Sequence, residues 1–545
     1  MKPDHRSGGE GKLNMAPESI TATLNRCFMR FEDRAERVAT KQIIDTFVSV
    51  GPLLDVLANR SHQVMYGRRG VGKTHALKYF QQQENNAGNL AVYIDCQNIG
   101  SNQSIYDDDS LPISERATRL LIDVCSAMHW AFMDAFSDPS RGWTLSEAAP
   151  LLNDFVDALS EVRIVGNYEA EDRSKQQIAS EAKVRLSGQF SATPKLSAAI
   201  GFDDKDETVI EHREKRAGDE RSSIDFNFLM QRTRQLAQYV APKRIWLLID
   251  EWSTVPTDIQ QPYLADLIRR SFFSVPNISV KIAAIEHRSN FKLDLDYGKY
   301  IGCELGADIS VALNLDDYLV FDANAERATS FFRNLITNHV IALGQEIGFE
   351  FENAVQHSLM SYAFTQDNVF VELVKASEGV PRDAMHILAN AAQRAGGASI
   401  SMPTIRQAVL QFFQTDKYNA IASNSENRRL LDWIRHKVIN ERKTRAFLLP
   451  VGTADEIIDR LFDRRALHIL SRSMSAAHRP GERFTVYKLD YGCYVDLVNT
   501  DKFPHGGLFK DDPNFLTVDF DVPEDDKRSY RRAILNIREF YESQR

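Results

Sequence analysis

Gly67-Arg68-Arg69-Gly70-Val71-Gly72-Lys73-Thr74 is the stretch from which the rest of the chain can be read. It satisfies every fixed position of G-x-x-x-x-G-K-[ST], a loop whose glycines let consecutive backbone N–H groups close around phosphate oxygens. An apolar run from His62 to Tyr66 precedes it, and a helical pattern, THALKYFQQQ, follows. The mechanism demands that context, because the loop must leave a strand and present the phosphates to a helix N-terminus. Lys73 is expected to reach the β- and γ-phosphates and the Thr74 hydroxyl to ligate Mg²⁺, with Gly67 through His75 lining the nucleotide. ATP and Mg²⁺ are therefore the expected cofactors.

Working outward, LAVYIDCQ from Leu90 is a second strand, and β-loop-α-β is the grammar of a parallel α/β sheet. The next strongly apolar strand, IWLLIDEW from Ile245, ends in Asp250 and Glu251. Adjacent carboxylates at a buried strand end are costly unless one faces a cation. Asp250 is thus assigned to the magnesium and Glu251 to activation of water, which points to hydrolysis. The sequence between these strands is too long for a loop, so an insertion is expected at about 101–240. Inside it, ISERATRLLIDVCSAMHWAFMDAF and LSEAAPLLNDFVDALSEV have helical periodicity, KVRLSGQFSATPKLSAAIGFDDKDETVIEH reads as a hairpin, and HREKRAGDERSS as a solvated loop. Beyond Glu251 the pattern gives a helix (PYLADLIRRSFFSV) and two strands (ISVKIAAIEH, DISVALNL), while TFVSVGPLLDVLANR upstream reads as a helix.

The expected plan is a polar disordered tail at about 1–18, an ATPase core to about 320 and a helical lid at about 321–420. A winged-helix-like domain at about 421–500 and an extension at about 501–545 complete it. In the winged-helix-like part, RRLLDWIRHKVINE and ADEIIDRLFDRRALHIL read as helices and FTVYKLDYGCYVDL as a hairpin. Over 545 residues, 43% are hydrophobic and 26% charged, with a formal charge of −9. This is a soluble globular composition that excludes a wholly basic nucleic-acid-coating surface. Five scattered cysteines without a C-x-x-C pair, no membrane-length apolar run and a polar start lead to the expectation of a cytoplasmic protein with no membrane partner.

GRRGVGKT, LLIDEW, the strand VKIAAIEH and the segment EGVPRDAMHILANAA together resemble AAA+ ATPases, most closely the origin-recognition-complex-type initiator branch. The resemblance covers about residues 45–100 and 240–415. It implies a γ-phosphate sensor at Glu286 or His287, where the family more commonly has asparagine. It also implies a second sensor at Arg382 in Gly379-Val380-Pro381-Arg382, reaching the γ-phosphate from the lid. An arginine at a helix start opposes the helix dipole and calls for an anion nearby. The family's trans-acting arginine has no counterpart in NFKLDLDYGKYIGCELGAD, which offers only Lys292 and Lys299; Arg269, Arg270 and Arg288 are the nearest substitutes.

Between Glu426 and Arg483 there are about 13 Lys/Arg against about 8 Asp/Glu. This is a basic stretch in a fold that commonly places a helix in the major groove. Arg442, Lys443, Arg445, Arg464, Arg465 and Arg472 would contact phosphates of double-stranded DNA. Winged helices also dock proteins, and Asp455, Glu456, Asp459 and Asp463 dilute the reading helix, so both alternatives stand. Two functions follow. One is an AAA+ switch ATPase that assembles on DNA or a partner protein, as a homo-oligomer or with that partner. The other is a STAND-like signalling ATPase, in the manner of antiviral defence, that drives a separate effector. A metabolic kinase would leave the lid and the C-terminal module unexplained.

Overall fold

The computed structural model describes residues 17–32, 34–98, 112–159, 162–165, 219–222, 224–256, 260–322, 324–349, 351, 353–442, 444–453, 455–476, 479, 481–498, 531 and 533–544. They fall into two compact units. One comprises Met1–Val56, Tyr66–Tyr79 and Leu313–Arg545, the other Leu57–Met65 and Phe80–Ala312.

The second unit carries β1 (Gln63–Tyr66), β2 (Leu90–Asp95), β3 (Val162–Val165), β4 (Asp219–Ser222), β5 (Ile245–Asp250), β6 (Ile278–Ala284), β7 (Lys292–Asp294), β8 (Tyr300–Gly302) and β9 (Ser310–Asn314), apart from the last residues of β1 and β9. Five of these form one sheet in the order β2-β5-β6-β1-β9, with β5 parallel to both β2 and β6. Every residue of β5 and β6 is buried, as a strand covered on both faces requires, and this is why they read as unbroken apolar runs. The expected parallel α/β core is present.

Within the expected insertion, helices Ile113–Ser137, Leu145–Asp157 and Phe226–Val240 pack on one another, and the first also packs on helix Gln260–Ile268 of the same unit. Leu120, Leu121, Val124, Met128 and Phe132 form the buried stripe of the first helix. Asp225 starts the third by accepting the N–H groups of Asn227 and Phe228. The helix read through Val162 stops at Asp157, and β3 begins at Val162. Part of the expected solvated loop is β4, which pairs antiparallel with β3. The expected hairpin at 183–212 lies outside the described residues.

The first unit opens with helix Pro17–Phe28, so the last two residues assigned to the tail are helical, and residues 1–16 lie outside the described residues. The helix read in TFVSVGPLLDVLANR shrinks to Leu53–Leu57: Gly51 sits at φ +53 and Pro52 follows, a pair that breaks a helix. After β9 come helices Ala325–Glu346, Asn353–Ala363, Asp367–Ala376, Pro381–Ala395 and Met402–Phe412, the expected helical array. Helix Ser425–Arg435 then leads to β10 (Ala446–Pro450), helix Glu456–Asp463, β11 (Leu467–Ser475) and β12 (Arg483–Leu489), an antiparallel sheet ordered β10-β12-β11.

Two expectations for this module are corrected. RALHIL is not helical: the helix ends at Asp463, Arg465 takes the left-handed φ of 59°, and β11 starts at Leu467. YGCYVDL is helix Tyr491–Val498, not the second arm of a hairpin. Buried Asp490 ends β12 and accepts the Gly492 N–H at 2.9 Å, which starts the helix. Leu535, Ile537 and Phe540, expected in a separate extension, join the module's core with Leu430, Leu461 and Leu489, and Ala533 and Leu535 hydrogen-bond the Leu448 backbone.

Gly379 precedes the helix Pro381–Ala395 at φ +76, and a Cβ there would lie 2.6 Å from the Leu319 carbonyl oxygen. Gly379→Ala combines that clash with left-handed strain and is expected to destabilise the protein by about 1–3 kcal/mol, read as a lower midpoint in urea denaturation of the full chain.

Candidate nucleotide-binding site

The glycine-rich loop leaves β1 and runs directly into helix Lys73–Asn86. Gly70 and Gly72 hold φ of +83° and +102°, a backbone that L side chains rarely adopt, and these two turns wrap the loop around the helix start. The first N–H groups of that helix have no intrahelical acceptor, so the loop and helix end form a cradle suited to an anion. Lys73 is buried and folds back along the loop, donating from Nζ to the carbonyls of Gly67 at 2.8 Å and Arg68 at 3.1 Å. Thr74 is half-buried on the first turn, Val71 is buried beneath the loop, and Arg69 is exposed.

Arg382 meets the loop through its backbone. Pro381 occupies the first turn of its helix, where a missing N–H costs nothing, and the Arg382 N–H donates to the Gly70 carbonyl at 3.2 Å. The approach is close enough that a Cβ on Gly70 would stand 2.8 Å from that of Arg382. The glycine is thus needed for docking of the G-x-P-R segment as well as for its own φ.

Arg68 has a different surrounding from the one expected of a nucleotide contact. Its side chain is 2% exposed. Nε donates to Asp316 Oδ1 at 2.8 Å and its backbone N–H to Oδ2 at 2.9 Å. Nη1 donates to His468 Nδ1, Nη2 faces the Glu378 carbonyl at 3.5 Å, and the guanidinium lies 5.3 Å from the centre of the Phe462 ring. His468 passes the chain on, with Nε2–H donating to Asp490 Oδ2 at 2.9 Å. Burial, and then the Arg68 charge, push the His468 imidazole well below its usual pKa, so it sits neutral between the two. His75 turns the other way, its Nε2–H donating to the Ile43 carbonyl at 2.9 Å with Thr46 Oγ1 at 3.5 Å, and burial lowers its pKa.

In the sheet unit, β5 ends in Asp250, which is fully buried. Oδ1 accepts the Glu251 N–H and Oδ2 the Tyr93 hydroxyl, both at 2.8 Å, which fixes the plane of the carboxylate. Glu251 stands at φ 51°, ψ 35°, a left-handed conformation costly for a residue with a Cβ, and its carbonyl accepts Thr254 Oγ1. Glu286 and His287 sit in the short helical turn after β6. Ser253 Oγ accepts the Ile285 N–H at 2.8 Å and lies 3.1 Å from Ser289 Oγ, while Gln261 donates to the Val255 and Arg288 carbonyls and accepts the Asn290 N–H. These contacts brace the turn after Glu251 against the turn carrying Glu286. Tyr93, Ser253 and Gln261 were missed in the sequence because a polar residue in an ordinary strand or helix gives no local signal of a partner far along the chain.

Arg269 and Arg270 both pair with Asp266, at 2.7 and 2.6 Å. Of the residues assigned to DNA phosphates, Arg445 is 4% exposed and pairs with Glu378 at 3.1 Å, and Arg465 pairs with fully buried Asp383 at 2.8 Å. Their charges are spent inside the protein, so both assignments are corrected. Arg472 faces Asp317 at 3.5 Å, Arg442 and Arg464 are exposed, and Lys443 lies outside the described residues.

Among the described residues no helix is long and apolar enough to cross a membrane. The family model ORC-CDC6-like matches residues 31–97, which contain the loop and β2, so the resemblance to ORC/Cdc6-type AAA+ ATPases is borne out over that stretch. No curated protein matches the chain. Among solved structures, a Walker-type ATPase of Pyrococcus abyssi, PABY2304, is 12% identical with a TM-score of 0.37, covering 86% of this chain and 98% of its own. Cdc6p from Pyrobaculum aerophilum is 10% identical with a TM-score of 0.28, and the Aeropyrum pernix ORC1 protein, solved in complex with DNA, is 11% identical with a TM-score of 0.29; each comparison covers 86% of this chain and 93% of the other.

Tyr93→Phe removes the hydroxyl from a carboxylate that has no solvent contact. Its expected cost is about 1–3 kcal/mol of stability, measured by urea denaturation without nucleotide.

Proposed function

We propose that this chain is a switch ATPase that binds ATP·Mg²⁺ through Gly67–Thr74 and hydrolyses it with Glu251 as the water-activating base. The observation that carries the reading is the loop itself: two glycines at positive φ feed a helix N-terminus, with the G-x-P-R segment hydrogen-bonded to Gly70. Lys73 would pair with the β- and γ-phosphates on leaving its loop carbonyls, and the Thr74 hydroxyl and Asp250 carboxylate would hold the Mg²⁺, which neutralises phosphate charge when bound. Arg382 would read the γ-phosphate from the lid, and Glu286 or His287 would supply the first sensor. The match to the ORC-CDC6-like family over residues 31–97 supports nucleotide-dependent assembly as the output.

Assembly would be on DNA through the winged-helix-like module, or on a partner protein. The second, STAND-like reading is favoured by one observation: Arg445 and Arg465, counted toward a basic face, are turned inward onto Glu378 and Asp383. Arg442, Arg464 and the partly exposed Arg472 are then what an exposed DNA face retains from the described part of the set.

Steady-state ATP hydrolysis by the wild type and by Glu251→Gln, with and without duplex DNA at low and moderate salt, tests this. The substitution is expected to cut turnover by at least about a hundredfold while nucleotide binding persists. A wild-type rate that rises with DNA and falls with salt supports assembly on DNA. A rate indifferent to DNA supports the partner-triggered switch, and full activity in Glu251→Gln removes Glu251 from the role of base.

A further inference from the structure

The buried charges around Arg68 extend well past the loop. From Arg68 the path runs to His468 and on to Asp490; Lys417 bridges Asp490 at 2.6 Å and Asp383 at 2.8 Å, and Asp383 is the next residue after Arg382, whose N–H holds the Gly70 carbonyl. The path begins and ends on the glycine-rich loop, two residues apart. On the way it passes through β11, the end of β12 and the helix Pro381–Ala395. Lys417, Asp383, His468 and Asp490 are each at most 2% exposed, so none of these contacts is screened by water.

His468 is chemically particular in this path. Each ring nitrogen has one partner, and the partners impose opposite roles: Arg68 can only donate, and an ionised Asp490 can only accept. That fixes the Nε2–H tautomer and makes the ring a rigid spacer between a loop cation and an anion of the C-terminal module. The Arg68 side chain cannot shift without breaking the His468 contact, and its backbone N–H and carbonyl belong to the loop itself.

We propose that His468 is a positioning residue for nucleotide binding, fixing Arg68 and with it the conformation of the phosphate loop from the C-terminal module. The proposal rests on the nucleotide reading above. Removing the contact frees the loop to sample conformations that do not cradle phosphate, so part of the binding free energy goes to ordering it. By reciprocity, bound nucleotide favours the docked module by the same factor.

The test uses the full chain and a fluorescent ADP derivative. His468→Ala and Arg68→Gln are each expected to weaken binding about tenfold. The loss in the double variant should fall short of the sum of the two single losses, because both substitutions remove the Arg68–His468 contact. His468→Asn, which keeps an acceptor facing Arg68, should restore most of the affinity, and this guards against general damage to the fold. Bound ADP should also slow proteolytic cleavage of the C-terminal module more in the wild type than in His468→Ala. Wild-type affinity in His468→Ala, or additive effects in the double variant, overturns the proposal while leaving the nucleotide reading intact. Failure of the wild type to bind the probe any better than Lys73→Ala overturns both.

Discussion

A guanidinium with almost no solvent contact must be surrounded by acceptors, and the first unit is arranged around meeting that demand for Arg68. Desolvating a cation costs several kcal/mol unless it is paired and hydrogen-bonded, and leaving its partner alone in the interior is as damaging. Asp316 answers with both oxygens, one to the side chain and one to the backbone, and His468 takes the next N–H. Arg68 belongs to the short segment Tyr66–Tyr79, while Asp316 and His468 belong to Leu313–Arg545. His75 ties the same short segment to Ile43. One loop residue and one helix residue thus fasten a fourteen-residue excursion of the chain to the segments on both sides of it.

The surrounding ions follow the same logic. Asp383 is fully buried; burial works against its charge, and Arg465 and Lys417 outweigh it to hold the carboxyl below the usual range. Glu378 is shared by Arg445 and Lys488. Such pairs add little net stability over well-packed apolar side chains, but they tolerate only one geometry. Here they join the β10-β12-β11 module to the helical array. In the sheet unit Asp250 spends its two oxygens on a neighbouring N–H and on Tyr93, and the left-handed Glu251 turn is held by Thr254 and the bracing of Ser253 and Gln261.

Much of this architecture was legible in the sequence wherever a strand is covered on both faces or a motif is local. IWLLID and ISVKIAA are continuous apolar runs because both faces are buried, and Gly70 and Gly72 of the loop hold a positive φ that a local motif records. The failures lie at ends. Gly51-Pro52 breaks a helix that periodicity alone continues, Arg465 ends another by going left-handed, and Asp490 caps a helix inside what reads as alternating strand. The unspecified positions of the loop motif were opaque for another reason: the partners of Arg68 lie 248 and 400 residues away. Charge counting failed for Arg445 and Arg465 because composition records how many cations a module has and not which way they point.

The helix Pro17–Phe28 illustrates what this interlaced path means during synthesis. Leu24, Cys27 and Phe28 are completely buried in the finished protein, and Thr21 Oγ1 donates to the Tyr362 carbonyl, a partner 341 residues further on. At about 5–20 residues per second that partner leaves the ribosome on the order of tens of seconds after the helix does. Through that interval a sticky amphipathic segment is left exposed with its docking surface still untranslated, which makes it a natural client for a chaperone.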